Sequence, residues 1–96
     1  MLKPLFIPLK TAYFEAFERG EKTIEYRPYG NRWHERTCPV GRKVTLSCGY
    51  GRARRLTGTI IKFERDTKPI STAAWIDCYG DKHSEVALIH IQLDRF

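Results

Sequence analysis

Apolar residues along the chain fall into short alternating runs, broken by glycine, proline and polar clusters. Leu5 to Leu9 reads as a strand, with Pro8 placing it at a sheet edge or ending it. Thr11 is placed to cap a helix whose apolar positions are Tyr13, Phe14, Ala16 and Phe17, and Gly20 supplies its C-terminal stop. Thr23 to Arg27 alternates as a strand, with Ile24 and Tyr26 on one face and Thr23, Glu25 and Arg27 on the other. Pro28-Tyr29-Gly30-Asn31 is turn chemistry, followed by a polar, basic stretch through Pro39. Lys43 to Cys48 is a further strand, and Gly49-Tyr50-Gly51 a turn. Arg55 to Glu64 reads as a longer strand, with Gly58 marking a bulge. Ser71 can cap a short helix through Ala74, Trp75 and Cys78, closed by Gly80, before a last strand from Glu85 to Leu93.

The expected order is therefore β-α-β-β-β-α-β. Two short helices are too few for a doubly wound sheet, so the pattern predicts a small α+β domain around a curled, barrel-like mixed sheet. Phe14, Phe17, Ile60, Ile61, Phe63, Trp75 and Ile89 are the expected core. At 96 residues, 42% hydrophobic and 29% charged, residues 1–96 are expected to form one domain with a packed core. No apolar run reaches the ~20 residues that cross a bilayer, and the first nine residues lack a signal-peptide pattern. A cytoplasmic protein without a membrane partner is the expectation. The odd set Cys38, Cys48 and Cys78 fits reduced thiols. His34 with Cys38 supplies only two ligands where structural zinc needs four, so neither a metal nor another cofactor is expected from the residues.

Charge changes the picture. The net charge is +6, and the window from Arg19 to Arg55 holds ten basic residues against three acids. The basic excess thus sits in one block, as suits a polyanionic partner; the plain alternative is a solvated surface. Within that block, Tyr29, Arg32, Trp33 and Arg36 interleave aromatic and guanidinium groups, a composition suited to stacking bases and contacting phosphates of single-stranded RNA. Trp33 could instead be buried beneath its loop. His34, beside it, is of the residue type whose ordinary titration lies near neutrality, and is either an acid–base group or simply exposed. Tyr50, Arg52, Arg54 and Arg55 form a second basic tip, alternatively a turn kept soluble by charge.

The segment Gly20 to Pro28 collects the features of a site. Period-two geometry puts Glu25 and Arg27 on one face about 7 Å apart, with Lys22 at the strand's mouth. A carboxylate between two cations could position or deprotonate a hydroxyl or water, while the cations hold phosphate or developing negative charge. The same three residues could also be a structural ion-pair network on an exposed face.

Read as glycine-x-lysine-x-x-glutamate-x-arginine, Gly20, Lys22, Glu25 and Arg27 resemble the signature of the ASCH domain family. The preceding helix, the following basic loop, Gly41-Arg42-Lys43-Val44 as a glycine-initiated strand, and the later strands extend the resemblance over nearly the whole chain. It implies a PUA-like β-barrel and RNA or nucleotide binding in a cleft beside the motif, with Lys22, Glu25 and Arg27 as the catalytic set. One branch resembles ribonucleases that cleave single-stranded RNA, for which a divalent metal is an option, and keeps the glutamate. Another resembles amidohydrolases that deacetylate N4-acetylcytidine, where a threonine stands at the position of Glu25 and a further glutamate is needed. Asp77 and Glu64 are available for that last role. A non-catalytic RNA-binding module is the third option, and oligomeric state is left open.

Overall fold

The computed structural model describes residues 2–66 and 85–94. In chain order the elements are β1 (Leu5–Leu9), α1 (Thr11–Glu18), β2 (Ile24–Pro28), β3 (Lys43–Cys48), β4 (Arg55–Asp66) and β5 (Val86–Leu93). They form a mixed five-stranded sheet of order β1-β3-β4-β5-β2, in which β1 runs parallel to β3 and the other pairs are antiparallel. The sheet curls into a half-barrel with one helix among the described residues. The second expected helix, with Trp75 and Asp77, lies outside them.

Alternation explains which way each strand faces. Leu5, Ile7 and Leu9 pair with Val44, Leu46 and Cys48, and the fully buried Ile7, Val44 and Leu46 point into the half-barrel. On β5, Ala87, Ile89 and Ile91 are the inward positions. Pro8 causes no loss in the ladder because β1 is an edge strand, as its position in the sequence suggests. Helix α1 covers this interior with Phe14 and Phe17, spaced one turn apart and both fully buried. Each such side chain contributes about 1.5–3 kcal/mol on leaving water.

The helix begins differently from the sequence reading. Lys10, with extended backbone, is its N-cap residue and makes no side-chain cap bond; Thr11 is the first helical residue. The Thr11 hydroxyl lies 3.5 Å from the Cys48 sulfur. The C-terminus is as expected. Gly20 adopts φ 81°, its N–H bonds the Phe17 carbonyl at 3.0 Å, and the Glu21 N–H reaches the Ala16 carbonyl at 2.9 Å. This is a Schellman closure, which needs the left-handed backbone that glycine tolerates. It turns the chain directly into Lys22 and β2.

Two further expectations on β4 are corrected together. The register shifts between Ile60 and Lys62, not at Gly58, so Ile61 is the extra residue of the bulge. Its side chain is 52% exposed rather than in the core, whereas Ile60 is fully buried and Phe63 is packed against the core. The extra residue shifts the phase of alternation, so that Ile60 and Phe63 both face inward. Gly58 has another role. A Cβ there would stand 2.7 Å from the Gln92 carbonyl oxygen, so its lack of a side chain lets β4 and β5 approach.

Candidate functional site

The curl brings the edge strands β1 and β2 close enough for one arginine side chain to span the gap, and the motif residues occupy that seam. Glu25 and Arg27 pair across β2 and β5 with Ile89 and Ala87, so both side chains share the inward face. The Glu25 residue is only 7% exposed. The Arg27 Nε donates to Glu25 Oε2 at 2.8 Å, and its Nη2 donates to the Pro8 carbonyl on β1 at 2.7 Å. One guanidinium thus joins the carboxylate of one edge strand to the backbone of the other. Lys22, delivered by the Schellman turn, places Nζ 3.5 Å from Glu25 Oε1 and donates to the Ile24 carbonyl at 2.6 Å. Its ammonium also lies 4.8 Å from the Tyr26 ring and 5.4 Å from that of Phe17.

The sequence pattern therefore brings together the three residues it singled out, but not on an exposed face. The side chains of Lys22 and Arg27 are 14% exposed and that of Glu25 is 9%. Two cations surround one carboxylate, giving a local excess of positive charge in a partly dehydrated setting. Such a cluster can hold an anionic group, and its carboxylate can orient a hydroxyl or water that enters.

Trp33 is not an open stacking platform. It is 6% exposed and belongs to the core, with the Arg27 guanidinium 4.9 Å and that of Arg32 5.3 Å from its ring centroid. The burial follows from the loop's own bonds. Gly30 and Trp33 exchange backbone bonds, and Thr37 accepts from the His34 N–H and donates to the Arg32 carbonyl. Arg42 pins the loop from outside by donating to the Thr37 and Lys3 carbonyls. Trp33 is accordingly a support beneath Arg27, while Arg32 and Arg36 are exposed. The Nδ1 of His34 accepts from the Arg36 N–H, fixing the ring within the loop.

Tyr29 is half-buried and its hydroxyl donates to Glu35. That bond raises the Tyr29 pKa and lowers that of Glu35. Arg65 stacks 4.1 Å over the Tyr29 ring and pairs with Glu85 at 2.8 Å, a bond that raises its own pKa. Of the second basic tip, Arg54 is turned toward α1, pairing with Glu15 at 3.2 Å and Glu18 at 2.9 Å. Tyr50, Arg52 and Arg55 remain on the exposed side.

Glu64 cannot complete the motif cluster. It pairs in register with Leu88, one residue from the partner of Glu25, so it projects from the opposite face of the sheet. There it accepts from His90 Nε2 at 2.6 Å. Cys38 and Cys48 are free thiols, and burial pushes the Cys38 thiol pKa up. Among the described residues no three His, Cys, Asp or Glu side chains gather as a metal site.

No protein-family model and no curated protein matches this chain. Among the described residues, no helix is long and apolar enough to cross a membrane.

Sequence reasoning missed two members of this region. Pro8 matters for its carbonyl, which faces the free edge and receives Arg27. Phe6 stands on the outer face of β1, with the Arg55 guanidinium 5.3 Å from its ring. Strand geometry carried the signal for Phe6, since a strand that turns Ile7 and Leu9 inward points Phe6 away from the core.

Proposed function

We propose that this protein is an ASCH-type, PUA-like domain that binds single-stranded RNA. In this reading Arg32, Arg36, Arg52 and Arg55 attract the strand, and Lys22 and Arg27 seat one phosphate at the seam. The observation that supports it most is the Lys22–Glu25–Arg27 cluster, with its excess positive charge at the junction of two sheet edges. The resemblance to the family rests on the same residues and on the order of elements. In the ribonuclease form of the proposal, a ribose 2′-hydroxyl attacks the adjacent phosphorus while Glu25 takes its proton, the P–O5′ bond breaks and water protonates the leaving 5′-oxygen, and Lys22 and Arg27 hold the developing negative charge.

Fluorescence anisotropy of a labelled single-stranded RNA between 50 and 200 mM salt, about the range over which phosphate contacts dominate, tests the reading. Each phosphate contact should add about −0.7 to the slope of log affinity against log salt. Lys22→Ala should weaken binding, and Glu25→Gln should slow any cleavage by about 100-fold or more. Absent binding at low salt, or affinity indifferent to salt, overturns the reading.

A second reading, an amidohydrolase acting on a modified nucleoside such as N4-acetylcytidine, is favoured by the setting of Lys22. Its Nζ is packed against two rings and lies 3.5 Å from a carboxylate oxygen, a confined donor that can hold the acetyl oxygen of such a substrate. Chromatography of free N4-acetylcytidine incubated with the protein separates this reading from the first.

A further inference from the structure

The outer face beside β1 carries an aromatic pair that the core does not use. Tyr50 is 82% exposed, and its ring lies 6.3 Å from that of Phe6 at an interplanar angle of 39°. A tyrosine ring left so far in water gains little from burial, so packing does not account for it. The turn that presents it is held at several points. The Gly49 N–H bonds the Leu9 carbonyl at 2.8 Å, and the Cys48 N–H bonds the Arg54 carbonyl at 3.1 Å. The hydroxyl of the buried Ser47 donates to the Gly51 carbonyl at 3.1 Å.

The charges around the tip are sorted. Arg54 takes both nearby carboxylates, Glu15 and Glu18, and anchors the tip to α1. Arg55 places its guanidinium over the Phe6 ring and, among the described residues, donates only to the Gly51 carbonyl, at 3.4 Å. Arg52 is exposed, and among the described residues neither Arg52 nor Arg55 has a carboxylate partner. Aromatic surface flanked by uncompensated guanidinium groups fits a planar base with phosphates on either side. Pro8 shares the outer face of β1 with Phe6, and its carbonyl receives Arg27, so this surface adjoins the seam.

We infer that Tyr50 and Phe6 form a base-stacking platform for single-stranded RNA, with Arg52 and Arg55 gripping the adjacent phosphates; this rests on the RNA-binding reading above. The platform takes the role that buried Trp33 cannot fill. The test compares a labelled oligouridylate with an abasic oligomer of the same length and charge. The wild-type protein should prefer the base-bearing strand by roughly 5- to 150-fold, the range for one stacked base. Tyr50→Ala should abolish that preference while leaving abasic affinity unchanged, and Tyr50→Phe should keep it. A wild-type protein without base preference, or a Tyr50→Ala protein that retains it, overturns the platform while RNA binding stands. Failure of both strands to bind at low salt overturns the RNA-binding reading and the platform with it.

Discussion

Glu25→Gln is the perturbation whose consequence the fold changes most. On an exposed face the substitution would alter stability by about 0–1 kcal/mol, the usual worth of a surface ion pair. Here the Glu25 side chain is 9% exposed, bonded to Arg27 at 2.8 Å and 3.5 Å from Lys22, and both partners' side chains are 14% exposed. Removing one partner of a buried pair costs about 3–5 kcal/mol, because the remaining charge is left without compensation. Glutamine keeps an oxygen for the Arg27 Nε, and a neutral bond of that kind retains about 1 kcal/mol. The expected loss is therefore about 2–4 kcal/mol, a large part of the roughly 5–15 kcal/mol that holds a domain folded. Thermal unfolding should shift down by roughly 10–30 °C. Urea denaturation of Glu25→Gln, Arg27→Gln and the double variant checks the assignment, because a cycle isolates the pair term. Arg27→Gln should cost at least as much, since it also loses the Pro8 carbonyl bond between the edge strands. A loss under about 0.5 kcal/mol for Glu25→Gln, with no coupling to Arg27, would refute the argument that the seam is dehydrated and held by this pair.

Gly58→Ala should cost about 1–3 kcal/mol by urea denaturation, since the new methyl group meets backbone across the strand at 2.7 Å; an unchanged midpoint would show that β4 and β5 can part there freely. Trp33→Ala should cost about 3–5 kcal/mol, as for other buried aromatics, yet leave the preference for base-bearing RNA in the surviving folded fraction. Selective loss of that preference would return the stacking role to Trp33. The Tyr29–Glu35 bond gives a pH signature. The Glu35 carboxyl is held below its ordinary 4.5, so its contribution is present above that pH and fades as pH falls through the lowered value. Tyr29 is raised above 10.0, so its contribution is present below that pH and is lost as pH rises through the raised value. Melting curves of Tyr29→Phe and wild type should therefore differ at neutral pH and converge as pH falls below the ordinary 4.5 of a glutamate; parallel curves would show that the bond is unlinked to folding.

Local physics made much of this protein legible from its sequence. A short apolar stretch located β1, and Val44 and Leu46 on one face located β3, both with the bounds the structure has, because facing in or out is decided residue by residue along a strand. Gly20 could be read as the helix stop because a left-handed backbone is a local demand that glycine meets. The same alternation put Glu25 and Arg27 on one face, so the motif cluster was visible as a pattern. Its burial was not, because burial depends on how far the sheet curls. The Arg27–Pro8 bond spans 19 residues and depends on the curl that brings β2 within one side chain's reach of β1. Arg54, one basic residue among several in sequence, is separated from Arg52 and Arg55 by partners on α1 that lie 36 and 39 residues away. Ile61 reads as core by composition and is exposed because the bulge is a property of the β4–β5 pairing, which neither strand specifies alone. Sequence thus determined where most of the described elements lie and how residues face within an unbroken strand, since those are set within a few bonds of each side chain. Only the tertiary structure decided which charges are buried, which are partnered and which are left for a ligand, since each depends on contacts between distant parts of the chain.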